Sequence, residues 1–578
     1  MLDFYKGMDV SFIPELLEGG MKCYDFDGTT IEPLDLAKKY GVNAIRLRIW
    51  HTPSNVEESK GYCSLEHTIK MAKEIYARDL DFMLDFHYSD YWADPGKQRK
   101  PKAWEELSFE QLVDAVYEYT KDTLLTLKKE KVLPQIVQIG NEIRSGLLFP
   151  DGEAPNYKQM VQLINAGIKG AREVATKEEM QIMIHLDQGG RYVYLKDWFD
   201  HTIEEGLEEF DLIGISYYPF WHGTFMDLKY TMEQLIERYK KPIMVVECAH
   251  AWRKSIHGFI DEEQEKIAGF PATPQGQRQV IDLVMNIVAS LPNNMGLGVY
   301  YWEPLCIPKE GEGGWSENMG ILDEKGNVLE TIHSFEFTRD KLKVGTPAKV
   351  YDLKPQTFLV GTEGKLPQVA SVLYFDGTVK EHKIVWNEDT TWRTVLGEHT
   401  ICGKVEEILV PITQKVTIVK EFVQVENLVE DENWDCGFVH WQVEKSSEQV
   451  VVSICPEEVD PFPAPPVNYV LVESPSNFTF SLIQKVNVEQ KGNYCLSVEY
   501  EGTDTTDVNV ALVAKQTGAN EDGQVWKKVI HPTEHGWSLH QMKDIPCEVG
   551  AMEIGIEIQS PPIYGKIRRL QFVLQDKK

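Results

Sequence analysis

Two glutamates stand at the ends of short apolar runs, and their side chains are the ones in this chain best suited to chemistry. Glu142 lies in the string Ile-Gly-Asn-Glu-Ile-Arg at 139–144, and Glu247 ends the string Val-Val-Glu at 245–247. A carboxylate at the end of a buried strand loses its hydration, so its placement there indicates a functional role. Two such carboxylates that face each other have the chemistry to hydrolyse a glycosidic bond.

The elements that must position these glutamates follow from the apolar pattern between about residues 4 and 337. Candidate strands, rich in β-branched residues, are 6–10, 43–50, 80–87, 135–141, 180–187, 211–218, 242–247 and 296–302. Segments with helical spacing lie between them and include 64–78, 109–130, 156–174 and 276–291. This alternation predicts a (β/α)₈ TIM barrel of class α/β. A doubly wound open sheet fits less well, because the first strand is not followed by a Gly-rich phosphate-binding turn.

Polar or aromatic side chains follow nearly every predicted strand, and in a barrel these strand ends form the active-site mouth. In chain order they are Arg46, Arg48, Trp50, Asp85, His87, Asn141, Glu142, His185, Asp187, Tyr217, Tyr218, Glu247, Tyr301, Trp302 and Glu303. A glutamate whose pKa is raised by burial suits the acid, and one held ionised by Arg and Tyr suits the nucleophile. Carboxyl groups about 5–5.5 Å apart predict retention of configuration and a gap of about 6.5–9.5 Å predicts inversion. The sequence leaves this distance open.

Four longer strings carry a family resemblance. They are Phe-His-Tyr-Ser-Asp-Tyr-Trp-Ala-Asp-Pro at 86–95, Ile-Gly-Asn-Glu-Ile-Arg-Ser-Gly-Leu-Leu at 139–148, Ile-Met-Ile-His-Leu-Asp at 182–187 and Tyr-Trp-Glu-Pro at 301–304. With them, residues 4–337 resemble glycoside hydrolase family 53, the endo-β-1,4-galactanases of the retaining (β/α)₈ clan. The resemblance implies endo-acting hydrolysis of β-1,4-galactosidic bonds in galactan or type I arabinogalactan, and imported galacto-oligosaccharides are the expected substrates if the protein is cytoplasmic. The alternatives are a clan relative that cleaves β-mannan or β-glucan, and a non-catalytic glycan-binding protein.

The resemblance also implies a role for individual residues. Glu142 is expected to be the acid/base and Glu247 the nucleophile of a double displacement. Asn141 would hydrogen-bond the 2-hydroxyl of the sugar at the cleavage point. Arg46 would hold the nucleophile ionised, Tyr217 would donate to it, and His87 would line the same subsite. Trp302 would form the floor under the sugar ring. Asp187 and Trp92 would contact neighbouring sugar units, and Trp315 is expected to form a distal platform.

Neither a metal nor a cofactor is expected at this mouth. Some bacterial relatives have a calcium-binding loop after the strand of the nucleophile, but here Arg253 and Lys254 occupy that stretch. A hard cation needs several oxygen ligands, which these two side chains do not offer. His185, His250 and His257 lack the spacing of a zinc hydrolase.

Charge and cysteine content narrow the partners and the compartment. The 578 residues carry a formal net charge of −31, which repels nucleic acid and anionic membranes. No apolar run approaches the ~18 residues that would span a bilayer, so no membrane insertion is expected. Nine dispersed cysteines indicate free thiols in a reducing compartment. We expect a cytoplasmic protein if Met1 is the native start, and a secreted one if the chain is a trimmed mature form.

The helical pattern stops near residue 342, so the barrel is assigned to residues 1–340. Residues 344–423 alternate apolar and polar side chains between Gly- and Asp-containing turns, which predicts a small β-sandwich of immunoglobulin type. Residues 424–578 predict a second, larger β-sandwich. This last segment resembles the carbohydrate-binding modules that are attached to galactanases.

Overall fold

The computed structural model describes residues 2–575 apart from 255–261, 309–313, 363, 388, 421–426, 435–436, 448, 458–466, 503–507, 518–523, 531–536 and 561–562. His257, considered above as a zinc ligand, and part of the loop after Lys254 lie outside the described residues. The chain divides into two compact units, Met1–Gly345 with Phe375–Gly377 and Thr346–Tyr374 with Thr378–Lys578.

Eight parallel strands close into a barrel in the first unit. They are β1 (Tyr5–Asp9), β2 (Ala44–Ile49), β3 (Asp81–Phe86), β4 (Ile136–Ile139), β5 (Gln181–Leu186), β6 (Leu212–Ser216), β7 (Ile243–Cys248) and β8 (Gly296–Trp302). The hydrogen-bonded order is β1-β8-β7-β6-β5-β4-β3-β2, and β2 closes the barrel on β1. The predicted (β/α)₈ fold is confirmed, with strand bounds that differ from the predicted ones only at the termini.

Helices connect the strands around the outside of the barrel. They are α1 (Ile13–Glu18), α2 (Pro33–Lys39), α3 (Leu65–Tyr76), α4 (Phe109–Lys129), α5 (Tyr157–Val174), α6 (Tyr192–Glu204), α7 (Phe225–Tyr239), α8 (Glu262–Ala268), α9 (Pro274–Ala289) and α10 (Trp315–Asn318). Two short hairpins accompany them, Cys23–Tyr24 with Thr30–Ile31 and Gly146–Leu147 with Gly152–Glu153. None of the helices in the described part of the chain is both long and apolar enough to cross a membrane.

Local sequence explains where the longer helices begin. Ser108 accepts a hydrogen bond from the backbone N–H of Gln111, and the Gln111 side chain accepts one from the backbone N–H of Ser108. Thr224 and Asp227 form the same reciprocal pair at the start of α7. Each pair satisfies two backbone donors that the first helical turn would otherwise leave without a partner.

The barrel interior is filled by side chains that alternate along each strand. Its inner apolar cluster consists of Tyr5, Ala44, Met83, Ile136, Met183, Leu212, Met244, Val246 and Tyr300. Every strand contributes at least one of these residues, as expected when inward-facing positions recur every second residue. This cluster closes the interior beneath the polar strand ends.

The second unit consists of β-sheets, as predicted. Its strands are β9 (Pro347–Val350), β10 (Gln356–Leu359), β11 (Val369–Tyr374), β12 (Val379–Trp386), β13 (Gly397–Val405), β14 (Pro411–Val419), β15 (Gln442–Lys445), β16 (Val451–Glu457), β17 (Val467–Ser474), β18 (Phe478–Val488), β19 (Gly492–Gly502), β20 (Asn509–Gln516), β21 (Val525–Ile530), β22 (Ser538–Cys547), β23 (Gly550–Ser560) and β24 (Ile563–Leu574). Strands β9–β14 form one six-stranded sheet in the order β9-β11-β12-β13-β14-β10.

The remaining strands form two five-stranded sheets, β15-β18-β23-β20-β21 and β16-β17-β24-β19-β22. A single apolar core lies between them and includes Trp434, Leu482, Leu496, Ile556 and Phe572 from both sheets and the preceding loop. The two sheets therefore pack as a sandwich. The boundary at 423/424, the immunoglobulin type and the carbohydrate-binding role stay predictions. The eight cysteines among the described residues are free thiols, and Cys436 lies outside that part of the chain.

Candidate active site

The strand ends bring the two predicted catalytic glutamates together at the mouth of the barrel. Glu142 follows β4, and Glu247 lies near the end of β7. One carboxylate oxygen of each lies within 4.8 Å of the other, and a ring nitrogen of His185 on β5 completes the cluster. Glu247 is buried, whereas Glu142 keeps part of its surface exposed.

A tight backbone turn presents Glu142. Gly140 has a φ of 89°, and Glu142 itself has φ 48° and ψ 50°. A Cβ on Gly140 would lie 2.6 Å from the Ile143 side chain, so this position requires glycine. The left-handed backbone of Glu142 is unfavourable for a residue with a Cβ and is typical of functional sites.

Glu247 reaches the mouth because β7 departs from regular strand geometry. Met244 and Val246 both pack in the inner apolar cluster, so strict alternation would turn Glu247 away from the interior. The register of β7 shifts against both neighbouring strands at this point. An irregularity of this kind redirects the side chain that follows it, and here it brings the carboxylate to the mouth.

Arg46 on β2 connects Glu247 to the rest of the mouth. This buried guanidinium directs its nitrogens at five oxygen acceptors, which matches its five N–H donors. The contacts are Nε to Gln138 at 2.5 Å, Nη1 to Asp9 and Glu247 at 2.9 Å each, and Nη2 to Asp85 and Asn141 at 2.9 Å each. The predicted contact between Arg46 and Glu247 is therefore present.

The tyrosine that donates to Glu247 is Tyr218, so the prediction for Tyr217 is wrong. The Tyr218 hydroxyl lies 3.2 Å from Glu247 Oε2, whereas the Tyr217 hydroxyl donates to the carbonyl of Gly223 at 3.0 Å. Strand alternation is the reason. Leu212 is in the inner cluster, so the inward positions that continue from β6 are the even-numbered ones.

The two carboxyl groups differ in what surrounds them. Burial raises the pKa of Glu247 to about 7, while Arg46 and the Tyr218 hydrogen bond act in the opposite direction. Burial also raises the pKa of Glu142 well above its ordinary value, and the nearby charges of Glu247 and Asp187 raise it further. Glu247 is the carboxyl beside a cation, so it ionises first and its charge keeps the proton on Glu142.

His87 supports the Arg46 network through a second carboxylate. Its Nδ1 accepts from the backbone N–H of Ala93 at 3.0 Å, so its Nε2 donates to Asp85 at 3.1 Å. Burial opposes ionisation of Asp85, but Arg46 and His87 outweigh it and lower the pKa of this carboxyl to about 2. The ring of His87 also lies 5.9 Å from that of Trp92.

Asn141 starts a chain of hydrogen bonds that ends on Glu142. The Asn141 Oδ1 lies 3.0 Å from His185 Nδ1, and His185 Nε2 lies 2.9 Å from Ser216 Oγ. Ser216 Oγ in turn lies 2.6 Å from Glu142 Oε1. Burial, followed by the charge of Arg46, lowers the pKa of His185 well below its ordinary value, so its imidazole is neutral.

Three tryptophans line the mouth beside the glutamates. The ring centroid of Trp302 lies 5.8 Å from that of Trp92 and 4.4 Å from that of Trp315. The guanidinium carbon of Arg48 lies 4.2 Å from the centroid of the Trp92 ring, a cation–π contact that helps to hold the ring. All three tryptophans are partly exposed.

Asp187 lies on the Glu142 side of the mouth. Its Oδ1 accepts from Arg144 Nε at 2.9 Å. Burial raises the pKa of Asp187, and Arg144 opposes that shift. The structure shows an electrostatic influence of Asp187 on Glu142, while its contact with a sugar unit stays a prediction.

Glu142, His185 and Glu247 could also be considered as ligands of a metal ion, because their donor atoms lie within 4.8 Å of one another. Both ring nitrogens of His185 already have hydrogen-bond partners, and Arg46 lies 2.9 Å from Glu247. A second cation next to this guanidinium would be repelled. The arrangement therefore fits a carboxylate pair better than a metal centre.

Asp9, Gln138 and Ser216 are residues of the mouth that were not predicted from the sequence, and His185 and Tyr218 were named as strand-end residues without a role. All five are polar side chains at inward positions of their strands or just beyond, so alternation from the inner cluster is the signal that they share. Asp9 is the last residue of β1, a strand for which no site residue was predicted.

A closed (β/α)₈ barrel with a pair of glutamates and partly exposed tryptophans at its mouth has the architecture of a glycoside hydrolase. Comparisons with known proteins agree. The model of glycosyl hydrolase family 53 matches residues 5–335. An uncharacterized protein of Niallia circulans is 40% identical over 351 residues, which cover 58% of this chain and 93% of the relative.

Two further comparisons concern proteins of known type. The endo-beta-1,4-galactanase of Bacillus subtilis is 35% identical over 345 residues, covering 58% of this chain and 78% of the relative. Among solved structures, the GH53 catalytic domain of Ignisphaera aggregans is 37% identical with a TM-score of 0.54, covering 58% of this chain and 95% of that chain. The chain therefore belongs to glycosyl hydrolase family 53.

Proposed function

We propose that the chain is a retaining endo-β-1,4-galactanase in which Glu247 is the nucleophile and Glu142 the acid/base. The supporting observation is the distance between the two carboxyl groups, whose nearest oxygens lie within 4.8 Å. This short distance matches the ~5–5.5 Å separation of carboxyl groups in retaining enzymes better than the ~6.5–9.5 Å separation that accommodates a water in inverting ones. The galactan substrate is proposed from the name of the Bacillus subtilis relative.

The surroundings of each glutamate match these roles. In the first step, ionised Glu247 attacks the anomeric carbon while protonated Glu142 gives its proton to the leaving oxygen. In the second step, ionised Glu142 takes a proton from water, which attacks the anomeric carbon and releases Glu247. Arg46 at 2.9 Å favours the ionised form of Glu247, and the negative neighbours of Glu142 favour its protonated form.

The remaining predicted residues are proposed to position the sugar. Asn141 uses one amide hydrogen on the carbonyl of Ala93 at 2.8 Å, so its second amide hydrogen is the donor we propose for the 2-hydroxyl. Trp302, flanked by Trp92 and Trp315, is proposed as the platform under the ring, and Asp187 as a contact of a neighbouring unit.

Substitution of each glutamate by glutamine tests the assignment. Glu142→Gln and Glu247→Gln should each lower kcat on β-1,4-galactan by ~10²–10⁴-fold or more, because glutamine has nearly the same shape but provides neither acid nor nucleophile. Reducing-end release measures kcat, and circular dichroism verifies that both variants fold. Turnover at the wild-type rate in either variant would refute the assignment. Parallel assays on β-mannan and cellulose test the alternative substrates.

Azide distinguishes the two roles. In Glu247→Ala, azide enters the space of the missing nucleophile and should give an α-galactosyl azide from an activated substrate. In Glu142→Ala, azide attacks the covalent intermediate from the opposite side and should give the β-azide. The reverse pattern would exchange the two assignments.

A further inference from the structure

Four buried or half-buried side chains form a series of hydrogen bonds that ends on the carboxyl of Glu142. It runs from Asn141 through His185 and Ser216 to Glu142, with successive distances of 3.0, 2.9 and 2.6 Å. Asn141, His185 and Ser216 are all buried. Because each member has a limited number of protons, the direction of every bond in the chain can be worked out from its fixed end.

The fixed end is Asn141. Its Oδ1 accepts from Arg46 Nη2 at 2.9 Å, and its Nδ2 donates to the carbonyl of Ala93 at 2.8 Å. An arginine only donates and a carbonyl only accepts, so the orientation of the amide is unambiguous. The Asn141 oxygen is therefore an acceptor toward His185, and the proton between them belongs to His185 Nδ1.

The rest of the chain follows from this tautomer. His185 is neutral, so its Nε2 has no proton and must accept. Among the described residues, the donor that faces it is the hydroxyl of Ser216, which carries a single proton. With that proton directed at His185, the oxygen of Ser216 accepts at 2.6 Å from the protonated carboxyl of Glu142. In the opposite direction, Ser216 would donate to ionised Glu142 and lower its pKa, but the Nε2 lone pair of neutral His185 would then lose this donor.

We propose that Ser216, oriented by His185, is a positioning residue that keeps Glu142 protonated in the resting enzyme. The proposal rests on the proposed function, since it concerns the acid/base of that reaction. It assigns to Ser216 the opposite role from the usual serine, which donates to a carboxylate and stabilises its ionised form.

The same chain accounts for the proton during turnover. When the Glu142 O–H bond breaks, the proton goes to the leaving oxygen and forms its O–H bond, and Glu142 becomes a carboxylate. The Ser216 hydroxyl then rotates toward Glu142 without breaking its own O–H bond, which leaves the Nε2 lone pair of His185 without a donor. This loss makes the carboxylate state transient and favours uptake of a proton from the attacking water.

Other charged groups surround this chain and act in parallel. Glu142 faces Glu247 from β7, and Asp187 and Asp94 from the loops after β5 and β3. All three charges favour the protonated form of Glu142.

His185 faces Arg46, Asp85 and His87 from β2, β3 and the β3 end. Arg46 opposes protonation of the imidazole, and Asp85 favours it. The contribution of Ser216 must therefore be measured by a substitution that leaves these groups in place.

The Ser216→Ala variant tests the proposal through the pH dependence of kcat/KM on soluble β-1,4-galactan. The basic limb of this profile reports the pKa of Glu142 in the free enzyme. Loss of an acceptor for the Glu142 proton should move the limb to lower pH by ~0.5–1 unit, the equivalent of one hydrogen bond. Ser216→Thr keeps the hydroxyl and should restore the wild-type limb. A limb that moves to higher pH, or does not move, overturns the proposal.

A measurement without turnover provides an independent test. The ¹⁵N NMR spectrum of the wild-type imidazoles, assigned for His185 by comparison with His185→Gln, should show a protonated Nδ1 and an unprotonated Nε2 between pH 5 and 7. An Nε2–H tautomer or an imidazolium would overturn the proposal, because either form would leave the Ser216 proton for Glu142. If the wild type fails to hydrolyse galactan, the proposed function fails, and the NMR result alone decides whether Ser216 holds Glu142 protonated.

Discussion

Glu142 and Glu247 lie within one cluster but have neighbours of opposite character. Arg46 and Tyr218 contact Glu247, whereas the charges nearest to Glu142 are negative. Activity needs Glu247 ionised and Glu142 protonated, so it is expected to rise as the pH passes through the pKa of Glu247, about 7, and to fall at the higher pKa of Glu142.

Tyr218→Phe should move the acidic limb of this profile. The Tyr218 hydroxyl donates to Glu247 at 3.2 Å and stabilises its ionised form, so its loss raises the pKa of Glu247. The acidic limb of kcat/KM against pH should therefore shift to higher pH by ~0.5–1 unit. The measurement is the pH profile on galactan, with the basic limb as an internal reference.

Tyr217→Phe is the matched control for this prediction. It removes a hydroxyl one residue earlier, which donates to the carbonyl of Gly223 rather than to Glu247. We expect the acidic limb to stay at the wild-type pH in this variant. A shift in the Tyr217 variant together with an unchanged Tyr218 profile would contradict the geometry of the site.

Two strands show how far the sequence could predict the site. On β6, regular alternation makes Ser216 and Tyr218 face inward, so the correct tyrosine was predictable from the inward position of Leu212. On β7, the same rule would turn Glu247 away from the mouth, since Val246 faces the interior. Only the register shift of β7 explains its position, and no residue type in the string 243–248 predicts that irregularity.

The helices around the barrel are stabilised by their N-caps, and Ser108→Ala tests the cap of α4, a helix of 21 residues. The substitution removes the side-chain oxygen that accepts from the backbone N–H of Gln111 at the start of α4. We expect the barrel to lose ~0.5–2 kcal/mol of stability, while activity at 25 °C is retained because α4 lies outside the mouth. Calorimetry of the barrel transition measures the effect.

Ser54→Ala is the control, because Ser54 is an exposed serine of the same unit that caps no helix. Its transition temperature should equal that of the wild type. Equal transition temperatures for the Ser108 and Ser54 variants would show that the cap does not stabilise α4.

At the scale of the whole molecule, alternation and helical spacing predicted the barrel and the all-β character of the remainder. The strands of a barrel are long apolar runs separated by amphipathic helices, which leave a strong periodic signal. The sheets beyond residue 345 leave a weaker one, because short alternating strands do not specify which strand pairs with which. The parallel pairing of β10 with β14 is an example that no local pattern indicates.

The predicted carbohydrate-binding role of residues 424–578 can be tested by affinity electrophoresis. The full chain and a chain that ends at residue 345, both with Glu142→Gln to prevent hydrolysis, are run in gels with and without galactan. We expect galactan to retard the full chain more strongly, because a second binding surface adds avidity. Equal retardation of both chains would remove the second unit from substrate binding.

The configuration of the first product tests the central proposal most directly. Wild-type enzyme is mixed with β-1,4-galactan or galacto-oligosaccharide in D₂O, and ¹H NMR follows the anomeric protons of the new reducing ends before they mutarotate. Because the carboxyl oxygens of Glu142 and Glu247 lie within 4.8 Å of each other, we expect the β anomer first, with the α anomer appearing later by mutarotation. Initial appearance of the α anomer would contradict the double displacement, and the absence of new reducing ends would contradict the galactanase activity itself.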